Sequence, residues 1–135
     1  MSPIFILLLM IFCHIVDDYY LQGILASMKQ KKWWHEHAPD PIYRYDYIVA
    51  LIMHSMSWAF MIQLPIAIAN SFNVGIKFAV AFIINAIIHG FVDNTKANRI
   101  HTKHYTFAIN LIIDQTIHLI QIAVTFAIFI VGGII

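Results

Sequence analysis

Three pairs of ionisable residues lie inside apolar stretches of this sequence, each with a spacing of four residues. The pairs are His14 with Asp18, His89 with Asp93, and Asp114 with His118. Residues four apart in an α-helix leave the same face about one turn apart, so each pair would present an imidazole beside a carboxylate. Within a bilayer each such group costs about 2.5–3.5 kcal/mol unless it is paired, hydrated or bound to a metal. The repeated spacing therefore indicates a functional site.

Together with a histidine in another apolar stretch, these residues make seven predicted metal ligands: His14, Asp18, His54, His89, Asp93, Asp114 and His118. Carboxylates that lie close together repel one another, and a divalent cation relieves that repulsion. Histidine and carboxylate ligands suit Zn²⁺, Mn²⁺ or Fe²⁺ better than Ca²⁺, and seven groups suffice for one or two ions. We expect zinc, with manganese or iron as alternatives. We predict that hydrogen bonds from three further side chains orient the ligands: Gln22, Ser55 and Gln115.

A metal with an open coordination position activates water and polarises a carbonyl or phosphoryl oxygen, which is hydrolytic chemistry. An aspartate that is not a ligand could act as the general base, and Asp18 and Asp114 are both candidates. Lys29 and Lys96 continue the His/Asp faces toward the ends of their helices, where they could bind a phosphate or an anionic headgroup. The excess of positive charge usual in cytoplasmic loops would place lysines there as well.

The composition indicates a membrane protein. Of the 135 residues, 61% are hydrophobic and 11% charged, and the mean hydropathy is +0.76. A soluble domain of this size cannot bury so much apolar surface. The net charge of +1 provides no basic field for nucleic acid. A single cysteine, Cys13, excludes an internal disulfide and a cysteine-rich metal cluster.

The apolar stretches predict an all-α fold, a single domain of four transmembrane helices over about 3–26, 47–69, 74–96 and 104–132. Pro3 suits a first helical turn. No basic residue precedes the first stretch and no small-residue cleavage motif follows it, so we expect a retained helix and not a signal peptide. Pro65 can kink the second helix. The aromatic and basic segment from Met28 to Asp46 predicts an interfacial loop, either an anchoring belt or a substrate contact.

Orientation follows from the basic residues. The loops after helices one and three carry Lys29, Lys31, Lys32, Arg44, Lys96, Arg99 and Lys103. The opposite side carries only Lys77. We therefore expect a multi-pass protein of the bacterial inner membrane with cytoplasmic basic loops and with both termini on the periplasmic or extracellular side. At 1.5 Å per residue, the predicted ligands lie about 10 to 14 Å from the basic side, in one common layer.

The motifs together resemble a family of small bacterial and phage membrane proteins of unknown function. They are His14-x-x-x-Asp18-x-x-Leu21-Gln22 with Lys29, a histidine in helix two, His89-x-x-x-Asp93-x-x-Lys96, and Asp114-Gln115-x-x-His118. The family is distantly similar to membrane-bound metal-dependent hydrolases, so the resemblance implies a metal site and supplies no substrate. One departure is Asp17, where a small residue is expected. It leaves open which of Asp17 and Asp18 faces the site.

These observations favour a membrane-embedded metal-dependent hydrolase that acts on a lipid or lipid-linked headgroup from the cytoplasmic leaflet. Two alternatives stay open. A metal or proton carrier or pore would use the same residue types. A non-catalytic partner of a host membrane protein would use the polar groups only as hydrogen bonds between helices. A bundle this small is also compatible with a homodimer.

Overall fold

The computed structural model describes residues 1–98 and 107–133, and the regular elements in these ranges are helices. They are α1 (Pro3–Val16), α2 (Leu25–Met28), α3 (Lys31–His37), α4 (Asp46–Ala69), α5 (Ile76–Asn98) and α6 (Phe107–Val131). A π-helical turn, Asp17–Leu21, extends α1, and a 3₁₀ turn, Pro41–Tyr43, precedes α4. The predicted all-α class is confirmed. The predicted start of the fourth helix near His104, and the basic residues Arg99 and Lys103, lie outside the described residues.

Four helical stretches are long and apolar enough to cross a membrane: Pro3–Leu21, Pro41–Ala69, Ile76–Asn98 and Ile109–Ile130. The first one ends at Leu21, whereas the prediction extended it to residue 26. Gly23 lies two residues further on with a φ of +48°, a left-handed conformation that glycine adopts without strain. The chain therefore leaves the first helix there, and α2 forms a separate turn.

The four long helices form a closed ring in which α1 packs on α4, α4 on α5, α5 on α6, and α6 on α1. Hydrogen bonds show that α5 is antiparallel to α6 and α1 to α4. Lys96 at the end of α5 contacts Asp114 near the start of α6, and Asn85, earlier in α5, contacts Thr125, later in α6. The bonds between α1 and α4 follow the same order. All four helices consequently bring their predicted ligands to the same half of the bundle.

The bundle exposes large apolar side chains on its outer surface and buries many polar ones in its interior. Exposed positions on the long helices carry large apolar residues, among them Leu8, Phe60 and Ile120, whose exposed fractions are 57%, 53% and 57%. One end of the interior is apolar, with a buried core of Ile6, Met10, Trp58, Ile62, Ile66, Ile122 and Phe129. The other end is filled by histidines, aspartates and lysines. An apolar exterior around a polar interior is the arrangement that suits helices surrounded by lipid.

Candidate functional site

The polar end of the bundle holds a cluster of four imidazoles and four carboxylates. His14, His54, His89 and His118 are each at most 2% exposed. The carboxylates belong to Asp17, Asp18, Asp93 and Asp114. Because α1 with its π-helical turn, α4, α5 and α6 each contribute, the cluster forms only when all four long helices are packed.

The π-helical turn brings both adjacent aspartates into the cluster. The amide of Gln22 donates to the carbonyl of Asp17 (2.9 Å), five residues back, so this turn contains one residue more than an α-helical turn. The hydroxyl of Ser57 donates to Asp17 Oδ1 (2.5 Å). His54 lies between the two acids, with its Nδ1 3.7 Å from Asp17 Oδ2 and its Nε2 3.5 Å from Asp18 Oδ1. Both Asp17 and Asp18 therefore face the cluster, which answers the question that the sequence left open.

Asp18, His54 and His89 form a first group of convergent ligand atoms, all within 4.8 Å of one another. The Nε2 atoms of His54 and His89 are 3.0 Å apart. Metal–ligand bonds of about 2.0–2.1 Å place two ligands of a tetrahedral ion about 3.3 Å apart. The separation between the imidazoles, and that of 3.5 Å between His54 and Asp18, are close to this value.

His89, Asp93 and His118 form a second group, whose ligand atoms also all lie within 4.8 Å of one another. Asp93 Oδ1 lies 3.7 Å from His118 Nε2, and Asp93 Oδ2 lies 3.8 Å from His89 Nε2. The same Oδ2 is 3.2 Å from His54 Nε2, which links the second group to the first. Since His89 belongs to both groups, the cluster could hold one ion that is shared or two ions that are close together.

Several atoms of the cluster are buried without a hydrogen-bond partner among the described residues. They are Asp17 Oδ2, Asp18 Oδ1, Asp114 Oδ1 and His118 Nε2. Buried polar atoms are nearly always satisfied, so unsatisfied atoms of ligand type that face one another fit a bound cation. The donor set of imidazole nitrogens and carboxylate oxygens is also one that zinc, manganese and iron use.

Two lysines pair with the acids of the cluster. Lys29, itself buried, contacts Asp93, and the ammonium of Lys96 lies 2.5 Å from Asp114 Oδ2. Both lysines were predicted to bind a headgroup, and here each is paired with a carboxylate of its own chain. Four carboxylates and two ammonium groups leave two negative charges among these described side chains when the imidazoles are neutral. One divalent cation would balance them.

His14 and Asp114, two of the seven predicted ligands, lie outside both convergent groups. The indole of Trp58 donates to His14 Nδ1 (2.8 Å), while His14 Nε2 lies 3.1 Å from Gln115 Oε1. Both ring nitrogens of His14 are therefore occupied. The amide of Gln115 also donates to Asp114 Oδ2 (3.2 Å) and contacts Asp18 Oδ2 (3.5 Å).

Of the other two residues predicted to orient ligands, Gln22 contacts a predicted ligand and Ser55 does not. Gln22 Nε2 lies 2.9 Å from His54 Nε2, so Gln22 contacts a ligand as expected. The hydroxyl of Ser55 instead donates to the carbonyl of Leu51 (2.7 Å) in its own helix. It faces Gly90 and has no role in orienting a ligand in this arrangement.

Trp58 and a polar extension of the cluster were not predicted. The ring of Trp58 stacks on His89 with a centroid distance of 4.2 Å. Beyond His118, three buried side chains hydrogen-bond to one another between α5 and α6: Asn85, Gln121 and Thr125. His118 Nδ1 lies 3.4 Å from Gln121 Oε1. Their spacing from His89 and His118 is four, three and seven residues, so helical periodicity contained a signal for them.

A cavity of about 710 Å³ reaches the cluster from the side, between α1 and α6. His14 and Gln115 contribute its polar surface, and Ile11, Ile15 and Leu119 contribute apolar walls. The opening between two helices whose outer faces are apolar would give a lipid-soluble molecule access to the polar cluster.

The chain belongs to the family described as "Protein of unknown function (DUF3307)", whose model matches residues 4–133. The match includes every residue of the cluster. Comparisons with curated proteins and with solved structures find no match. The family description names no activity.

Proposed function

We propose that this protein is a membrane-embedded, metal-dependent hydrolase that acts on a lipid or lipid-linked headgroup. The observation that carries the proposal is the convergence of Asp18, His54 and His89 with Asp93 and His118 in one buried cluster. Zinc is the metal that we favour, and manganese or iron would use the same donors. The cavity beside His14 supports a substrate that comes from the bilayer.

The five convergent residues would hold the metal, and Trp58 and Gln22 would hold the rings of His89 and His54 in place. When bound, the metal would supply a Lewis acid for a phosphoryl or carbonyl oxygen and a source of activated water. Of the two candidate bases, Asp18 belongs to a convergent group and Asp114 does not, so Asp114 is left to accept a proton and is our choice as general base. Gln115 connects Asp114 with the cavity.

Metal analysis of the purified protein tests the first part of the proposal. We expect zinc in protein that is extracted with a mild detergent without chelators. His89→Ala should lose the metal because His89 belongs to both groups, whereas His35→Ala, at an exposed histidine of α3, should keep it. Wild-type protein that contains no metal and takes up none from zinc chloride would overturn the proposal.

Turnover tests the second part. Zinc-loaded protein is reconstituted in phosphatidylglycerol vesicles, and the release of headgroup is followed by mass spectrometry. Asp114→Asn should keep the metal and lower turnover about 10²–10⁴-fold, the usual contribution of a general base. Wild-type protein that releases no more headgroup than His89→Ala would count against hydrolysis of this lipid class.

A metal or proton carrier is the second candidate, and the polar extension formed by Asn85, Gln121 and Thr125 favours it. These side chains continue the cluster along α6 for about 10 Å beyond His118, at 1.5 Å per residue. Vesicles that contain a zinc-sensitive or a pH-sensitive dye separate the two functions. A carrier would change the dye signal without consuming lipid.

A further inference from the structure

A second cavity, of about 640 Å³, lies outside the cluster, where α3 and the turn Pro41–Tyr43 meet the start of α4. Three basic side chains line it: Lys31, Lys32 and Arg44. Aromatic rings, including those of Trp34, Tyr43 and Tyr47, form much of the rest. Neither the predicted metal ligands nor the predicted headgroup lysines belong to this cavity.

The positive charge at this cavity is available for a ligand. Lys31 Nζ lies 5.0 Å from the ring centre of Tyr47, and the guanidinium of Arg44 lies 5.4 Å from that of Tyr45. Both cations thus have aromatic partners, and no carboxylate of the described residues forms an ion pair with either. Asp40 also lines the cavity, so its three basic side chains exceed its acidic side chain by two. Lys29 and Lys96 differ because each is paired with an aspartate of the cluster.

The aromatic wall is held by specific contacts. The indole of Trp34 donates to the carbonyl of Met28 (2.6 Å), and its ring stacks on Tyr43 with a centroid distance of 6.3 Å. Asp40 Oδ1 accepts a hydrogen bond from the amide of Ile42 (3.0 Å), which fixes the turn below the cavity. Tryptophan and tyrosine favour the headgroup layer of a membrane, and arginine binds phosphate through several donors.

We propose that this cavity binds a phosphate group, carried by an anionic phospholipid headgroup or present as the free ion, with Lys31 and Arg44 as its ligands. The site goes beyond the proposed function because it requires neither a metal nor hydrolysis. It is nevertheless joined to the cluster: the Lys31 amide donates to Asn98 Oδ1 (2.8 Å), and Asn98 Nδ2 donates to the Lys29 carbonyl (3.0 Å). An occupant of the cavity would therefore sit beside the segment that presents Lys29 to Asp93.

Binding to the purified full-length chain in detergent tests this site. Dihexanoyl phosphatidylglycerol, dihexanoyl phosphatidylcholine and sodium phosphate are titrated separately, and binding is measured by native mass spectrometry and tryptophan fluorescence. We expect phosphatidylglycerol to bind, phosphatidylcholine to bind more weakly, and phosphate to compete. Phosphate that binds while neither lipid does would assign the site to the free ion.

Charge-removing variants localise the binding. Lys31→Gln and Arg44→Gln should each weaken phosphatidylglycerol binding about tenfold, since each removes a charged donor. Lys77→Gln, at an exposed lysine at the start of α5, is the matched control and should bind like wild type. Thermal unfolding confirms that the variants are folded. If Lys31→Gln, Arg44→Gln and wild type bind equally, the proposal is wrong, whatever metal analysis shows for the cluster.

Discussion

The ion pair of Lys29 with Asp93 illustrates how single residues stabilise the cluster. The side chains are 10% and 3% exposed, so little water screens either charge. Lys32 and Glu36 form a pair of the opposite kind, 3.6 Å apart, with side chains 75% and 52% exposed. Removing one partner of a buried pair leaves an uncompensated charge, whereas removing one partner of an exposed pair leaves a charge in water.

We predict that Lys29→Ala lowers the free energy of unfolding by about 3–5 kcal/mol because the Asp93 carboxylate stays buried without its partner. Lys32→Ala should change it by about 1 kcal/mol or less. Thermal or SDS-induced unfolding of the purified protein measures both. Adding Asp93→Asn to a Lys29→Met background should recover much of the loss. Equal effects of Lys29→Ala and Lys32→Ala would contradict the buried pair.

At the level of elements, α4 and α5 approach closely where Gly90 faces Ser55. A methyl group added to Gly90 would lie 2.7 Å from Ser55 Oγ but 3.5 Å from Ser55 Cβ. The serine oxygen, which donates to the carbonyl of Leu51, therefore determines how near the helices can come. His54 and His89 are the preceding residues of the two helices, so this approach also sets the distance between their imidazoles.

We predict that Gly90→Ala destabilises the protein by about 1–3 kcal/mol through overpacking. The combination with Ser55→Ala removes the oxygen and should restore stability, because alanine is also the better helix former by about 1 kcal/mol. Gly75→Ala, where an added methyl group meets nothing within 4 Å, is the control. Thermal unfolding of the four proteins measures the coupling. Additive effects of the two substitutions would rule out this contact.

The π-helical turn Asp17–Leu21 is a second element whose geometry affects the cluster. Its extra residue sets the angle around the helix axis at which the next side chains project. One of them is Gln22, which contacts His54. Tyr20 lies on its outer side with 78% of its surface exposed. Inserting an alanine after Tyr20 would lengthen this segment by one further residue and, at about 100° per helical residue, rotate Gln22 away from His54.

We predict that this alanine insertion weakens zinc binding about 10- to 100-fold, the usual effect of losing a residue that orients a ligand. Tyr20→Leu keeps the length of the turn and should bind zinc like wild type. Competition with a fluorescent chelator measures the affinity, and thermal unfolding shows whether both variants are folded. Unchanged affinity after the insertion would mean that the register of this turn does not affect the cluster.

For the whole molecule, the ends of the bundle differ in charge. The end with the histidine and aspartate cluster adjoins Lys31, Lys32 and Arg44, whereas the opposite end, which includes the turn around Asn73, has Lys77 as its basic residue. Loops rich in lysine and arginine stay in the cytoplasm, so this asymmetry predicts one orientation in the membrane.

We predict that a cysteine at Asn73 reacts with a membrane-impermeant maleimide in intact cells, and that one at Gln30 reacts only after permeabilisation. Both are exposed positions, and the substitutions are made in a Cys13→Ser background because Cys13 is the single native cysteine. The reverse labelling pattern would invert the proposed topology and place the cluster near the outer leaflet.

The sequence by itself determined the helical class and the four apolar stretches, because hydrophobic length and composition are local properties. It also predicted that His89 and Asp93 share a face, since helical geometry fixes that relation within one element. The same periodicity could have identified Asn85 and Gln121.

Only the tertiary structure decided which atoms meet between helices. Local spacing contains no information on the rotation of one helix against another, so it could not place His14 beside Trp58 and outside the convergent groups. Nor could it foresee the π-helical turn that directs Asp17 inward. The pairing of Lys29 with Asp93 likewise joins residues 64 positions apart, and packing of separate elements is what brings such residues together.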